Sequence, residues 1–164
     1  MHRTRRRLIA VAVLTLAGIT AAGCVPSAQS SSSPAPPPRP AMIDLSAAPT
    51  IAEYVETNLA YQGDRAAVLW LIHDTFGDRP DLEWCFAAPN KQGIVDRESG
   101  YGTFAHNPSG ASGLTQQIGH ADVYAALGFP YDPFNPLYNL RVARSMAETR
   151  AGLVSGWQPL PSAC

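Results

Sequence analysis

Residues 25–42, VPSAQSSSSPAPPPRPAM, confine the fold to the part of the chain beyond them. Serine and proline dominate, nothing apolar recurs at a helical or strand period, and no core can form from such a run. It reads as a tether, a flexible serine part leading into a stiffer proline part. The chain therefore divides into residues 1–23, residues 24–44 and a folded part, 45–164. About 120 residues suffice for one domain with a single core.

The pattern over 45–164 is helical nearly throughout, and few segments alternate as strands do, so the expected fold class is all-α. Thr50-x-x-Glu53 is a capping-box signature, with Ile51, Tyr54, Val55 and Leu59 sharing the face expected to be buried. Asp64 is placed to cap RAAVLWLIHDTF, whose run Val68 to Ile72 suits a deep core position. Asp122 starts a shorter helix through Leu127 that Gly128 and Pro130 end. Residues 137–154 space Leu137, Leu140, Val142, Met146 and Leu153 as an amphipathic helix does.

The N-terminus fixes the expected compartment. MHRTRRR is a basic n-region, LIAVAVLTLAGITA an apolar h-region too short for a comfortable span of about 20 residues, and small residues come next. Ala21-Ala22-Gly23-Cys24 resembles a bacterial lipobox, which implies lipidation of Cys24 and a membrane partner reached through that anchor. The exported domain would then sit on the outer face of the cytoplasmic membrane. With an ordinary signal peptide instead, Cys24 is a chance thiol and the protein is secreted. Three cysteines are an odd number for an exported chain. If Cys24 carries lipid, Cys85 and Cys164 remain to form a disulfide in an oxidising compartment. Twelve basic residues less the four arginines of the leader leave eight against thirteen acidic ones, net −5, with no basic footprint for nucleic acid.

The chemistry concentrates in DRESGYGTFAHNPSGASGLTQQIG, residues 96–119. Ile94 to Gly100 reads as the last turn of a helix stopped by glycine, with Glu98 at its end. A carboxylate lodged there against apolar walls has its charged form disfavoured and suits general acid work. Tyr101 to Ser112 is turn-rich, and Gly113 to Gly119 looks like the start of another helical or near-helical piece. Its glutamines offer amide donors and acceptors suited to sugar hydroxyl and acetamido groups.

Glu98-Ser99, then Ser112-Gly113-Leu114-Thr115-Gln116, then the run Asp132 to Ala143, DPFNPLYNLRVA, resemble in order the motifs of soluble lytic transglycosylase domains. Those domains belong to the lysozyme-like superfamily and cleave peptidoglycan glycan strands. The resemblance spans roughly residues 64–157. It implies a lysozyme-like helical fold with a substrate groove and Glu98 as the acid/base. It further implies Ser99 supporting that glutamate, Gln116 lining the sugar groove, Asn139 shaping the site from a neighbouring helix, and Asn107 near an acetamido group. The implied enzyme acts on peptidoglycan as a monomer with no metal and no organic cofactor. Thr115 stands where the family usually has methionine, and the later Ala-Tyr-Asn motif of many members has no counterpart; Tyr138 and Trp157 are the candidates to replace it.

Plainer readings stand beside these. Glu98 read alone is a solvated helix end, and Gln116, Gln117 and Asn107 serve equally as loop caps. His73, His106 and His120 match no zinc spacing. Trp70, Trp84 and Trp157 read as core, and Arg141, Arg144 and Arg150 as a solvated helix face. A hydrolytic muramidase is the alternative within the enzyme class. A non-catalytic glycan-binding envelope lipoprotein is the alternative outside it.

Overall fold

In a computed structural model, residue 43, residues 45–149, residue 157 and residues 162–164 are described, all within one unit of residues 32–164. The leader, Cys24, most of the tether, Arg150 and Leu153 lie outside the described residues. Among the described residues six helices occur in order: α1 (Ile51–Tyr61), α2 (Arg65–Phe76), α3 (Pro80–Ala87), α4 (Ile94–Glu98), α5 (Ala121–Ala126) and α6 (Pro136–Thr149). Among the described residues there is no β-strand, only isolated bridges pairing His106 with Ser112 and Ser112 with Gln117. The described part is all-α, and no helix in it is long and apolar enough to cross a membrane.

Local signals account for most of the helix boundaries. The Thr50 hydroxyl accepts from Glu53 N at 3.0 Å and the Asp64 carboxylate from Ala67 N at 2.9 Å, each satisfying a donor the first turn cannot. α2 is the central helix, packed by α1, α3 and α6, with Val68, Leu71, Ile72 and Phe76 fully enclosed. Burying each such side chain stabilises the fold by about 1.5–3 kcal/mol. The apolar positions of α6, Leu137, Leu140, Val142 and Met146, close the core from the other side. α5 starts at Ala121 rather than Asp122, because His120 takes a left-handed conformation (φ 65°) that ends the preceding loop.

The capping box at α1 is only half formed, and the helix lies the other way round from expectation. Ile51 is 84% exposed, and Tyr54, Val55 and Leu59 are also on the surface; Glu53, Thr57, Ala60 and Tyr61 face inward. The reason is electrostatic. Glu53 is not reaching back to its own helix start but pairing with Arg141 of α6, whose guanidinium also donates to Ala47 O at 2.8 Å. Arg144, one turn on, holds Asp78 at 2.7 Å and Glu148 at 2.9 Å. These two arginines tie helices together and are not the solvated face expected. Ile43, assigned to the tether, is buried with Leu45 against Tyr61. Trp84 is half exposed instead of core, while Trp157 is buried.

Burial holds the Glu53 carboxyl above the usual range, opposed by the Arg141 charge and reinforced by the Asp74 carboxylate beside it. Its Oε2 meets no donor. A raised carboxyl contributes stability that is fully present below its ordinary value of 4.5 and is lost as pH rises through its folded value. Asp132, raised by burial, acts with the same sign. Asp78, Asp81 and Asp96, held low by Arg144, Arg79 and the Lys91 amide, act oppositely. The informative measurement is therefore a difference. Asp74→Asn is expected to raise stability at pH 7 by about 0.5 kcal/mol, the size of a surface like-charge pair. Urea midpoints at pH 7 and pH 4 should show that gain shrinking at the lower pH; an equal gain at both would remove the like-charge explanation.

Cys85 of α3 and Cys164 are joined by a disulfide across 79 residues, and Ala163 N donates to Gln92 O at 3.0 Å beside it. Replacing both cysteines by serine is expected to cost roughly 2–5 kcal/mol in urea unfolding, the range for bridges that close long loops. A loss under about 1 kcal/mol would mean that packing alone keeps the tail in place.

Candidate active site

The site is a loop, residues 99–120, laid over the ends of two helices. α4 is short because Gly100 (φ 59°) turns the chain out of it, leaving Glu98 as its last residue. The Ser99 hydroxyl donates to Val95 O at 3.0 Å, which fastens the start of the loop to α4. Glu98 is not enclosed by apolar walls. Its side chain is 25% exposed, and its Oε1 accepts from Arg97 Nε at 3.0 Å and Nη2 at 2.7 Å.

Beyond Tyr101 the loop is built by amide side chains. Asn107 Oδ1 accepts from Ser109 N at 3.0 Å, Ser109 Oγ at 2.6 Å and Ala111 N at 3.0 Å, closing the turn at Pro108. Its Nδ2 donates to Gln116 Oε1 at 3.3 Å. Gln116 has a left-handed backbone (φ 51°) and donates Nε2 to Ala105 O at 3.0 Å and Gly113 O at 3.1 Å. The segment 113–119 is a bridged turn rather than the helical piece expected, since those bonds fold Gln116 back on Gly113. Ser99, Asn107 and Gln116 are each partly exposed.

Asn139 lies deeper. It is fully buried on α6, accepting at Oδ1 from Thr115 N at 3.1 Å and Thr115 Oγ1 at 2.9 Å, and donating to Pro133 O at 3.0 Å. Gln117 donates to Thr115 Oγ1 at 3.0 Å and Asn139 O at 2.8 Å, and accepts from the Tyr124 hydroxyl at 2.8 Å. Burial pushes the Tyr124 hydroxyl well up from its ordinary value, so it remains a donor. Gly113 is needed at its position, because its φ is 77° and a Cβ would overlap the Pro133 carbonyl and the Asn139 amide. Thr115 and Gln117 of the loop and Asn139 of α6 are thus one buried polar unit. Thr115 belongs to it through a hydroxyl that methionine lacks.

Trp157 joins this unit to α4. Its ring packs edge-on to Phe86 at 5.5 Å, its indole N–H donates to Thr115 O at 2.7 Å, and its carbonyl lies 3.4 Å from Arg97 Nη2. Glu98, Arg97, Trp157, Thr115 and Asn139 therefore form one contiguous series. Sequence reasoning missed Arg97 and Tyr124, and named Gln117 only as a loop glutamine, without its buried partners. Gln117 and Tyr124 are seven residues apart, and nothing in that spacing reveals their bond. Arg97 is the one that had a signal, a cation beside the proposed acid.

The remaining candidates lie elsewhere. His106 Nδ1 is 2.9 Å from Ser112 Oγ and His73 Nδ1 is 2.8 Å from Glu83, so these two histidines serve separate local contacts. No group of three or more His, Cys, Asp or Glu among the described residues is placed to hold a metal ion. A recess of about 270 Å³ lined by Leu127, Phe129, Arg141, Arg144, Ser145 and Glu148 contains none of Glu98, Ser99, Asn107, Gln116 and Asn139. Comparison with protein-family models, with curated proteins and with solved structures found no match for the chain.

Proposed function

We propose that this protein has a lysozyme-like fold and cleaves the β-1,4 bond between N-acetylmuramic acid and N-acetylglucosamine in peptidoglycan, as an exported lytic transglycosylase with Glu98 as acid and base. The observation that carries the reading is the contiguity of the motifs. Residues 98, 115 and 139, distant in the chain, are linked through Arg97 and Trp157, with Asn107 and Gln116 paired on the adjoining loop. General acid work needs a carboxyl group that a substrate can reach, and the Glu98 side chain is a quarter exposed.

The protonated Glu98 carboxyl gives its proton to the glycosidic oxygen as the bond from that oxygen to the muramyl C1 breaks. The muramyl 6-hydroxyl oxygen bonds to C1, and its proton returns to the Glu98 carboxylate. The products are a 1,6-anhydro end and a free 4-hydroxyl, and the enzyme is restored. This path needs one carboxyl group, whereas glycosidases that deliver water or a carboxylate to C1 keep a second one across the bond. Lipidation at Cys24 would hold the domain within a tether's reach of the membrane, facing the glycan strands.

Mass spectrometry of purified peptidoglycan after incubation with the protein tests the reading. Anhydro-ended muropeptides that disappear in Glu98→Gln are the expected result. Reducing ends would indicate a muramidase. Binding to sacculi with no cleavage would leave a glycan-binding lipoprotein.

A further inference from the structure

We infer that Trp157 is a positioning residue for Glu98, acting through Arg97, so that the C-terminal tail bonded to α3 is part of the active-site framework. The inference rests on the reading of Glu98 as the acid. Neighbouring residues on a helix project about 100° apart and do not naturally meet. Arg97 and Glu98 are such neighbours, yet two N–H groups of Arg97 converge on one oxygen, Glu98 Oε1. Something has to hold the guanidinium curled around the end of α4. The Trp157 carbonyl accepts, at 3.4 Å, from the same Nη2 that donates to Glu98.

That geometry has a chemical consequence. A guanidinium only donates. The oxygen it faces must accept, so a proton delivered by Glu98 sits on Oε2. Arg97 thereby selects which oxygen acts as the acid and fixes the plane of the carboxyl group. Trp157 is a firm support for this because it is held independently of Arg97. Its indole donates to Thr115 O at 2.7 Å, its ring packs on Phe86 one residue from Cys85, and it is buried. The same side chain grips Thr115, the residue next to Gln116, so the acid and the amide loop take their relative position from one tryptophan.

The test tracks two resonances in the full chain by 15N NMR, Arg97 Nε–H and Trp157 indole N–H, beside the turnover of peptidoglycan. Three samples are compared with the wild type: Trp157→Phe, Arg97→Gln and the wild type with its disulfide reduced. In Trp157→Phe, which keeps an aromatic ring but loses the indole donor, the Arg97 resonance should move away from its wild-type position. The kcat should fall about tenfold, the scale of a slightly misplaced catalytic group, with KM within about twofold. Arg97→Gln should give the same kcat loss, and combining the two should add little. An unmoved Arg97 resonance, or a loss confined to KM, would overturn the inference. If Trp157→Phe does not fold, the reduced wild type carries the same test. Its indole N–H should exchange faster and the Arg97 resonance should move; unchanged signals overturn the proposal. If the wild type cleaves nothing, the reading of Glu98 falls on its own, while the resonances still decide whether the tail holds Arg97.

Discussion

Glu98→Gln is expected to lower the rate of peptidoglycan cleavage by about 10²–10⁴-fold, the range for losing a general acid, with little change in stability. Glutamine has no proton to give to a glycosidic oxygen, but its carboxamide oxygen still accepts from Arg97. The residue stands at the end of a five-residue helix with its side chain a quarter exposed, so no core contact depends on its charge. Release of soluble muropeptides and a urea midpoint, measured on the same preparation, separate chemistry from folding. A variant that cleaves at the wild-type rate would place the acid elsewhere. A variant that loses rate and stability together would make Glu98 a structural residue.

The second large effect is on the fold. Asn139→Ala is expected to cost about 3–4 kcal/mol, because buried groups left without partners are penalised by about 1–3 kcal/mol each. Asparagine at 139 satisfies Thr115 N, Thr115 Oγ1 and Pro133 O at once, all away from solvent. Asn107→Ala, by contrast, opens a half-exposed turn where water replaces the lost acceptor, and should cost about 1 kcal/mol. Urea unfolding of the two variants checks the contrast. Equal losses would mean that the Thr115 groups find new partners when Asn139 is gone.

The helices whose ends carry chemical signals were legible in the chain. Thr50, Asp64 and Gly100 each satisfy or release backbone groups locally, and the boundaries fall where those residues stand. What α1 buries was not legible. Its apolar residues form a clean face, but the partner that decides orientation is Arg141, 88 residues away, and a charge pair overrides the hydrophobic pattern. α3 has no side-chain cap, and Pro80, though suited to a first helical turn, does not by itself mark where the helix starts. In the site, Glu98, Asn107, Gln116 and Asn139 were named from motif order, and their bonds were not foreseen. The amides of Asn107 and Gln116 are engaged with each other and with backbone groups of the loop, as the plainer loop-cap reading held. The disulfide was legible because counting cysteines requires no geometry.

The pair Glu53–Arg141 also constrains how the molecule reaches its final form. A helical domain ordinarily folds fast because its contacts are local. Here the ties that orient the helices are not local: Arg141 reaches Glu53 across 88 residues and Ala47 across 94, and Trp157 reaches Arg97 across 60. A chain that emerges N-terminus first can pair α1 with α2 early. Glu53 then has no cation until α6 arrives, and an unpaired carboxylate resists being buried. The first two helices should therefore stay loosely associated, with Glu53 in water, until most of the domain is available. Assembly would be governed by the arrival of the last long helix, a late and all-or-none step in a protein whose secondary structure alone suggests gradual, helix-by-helix growth.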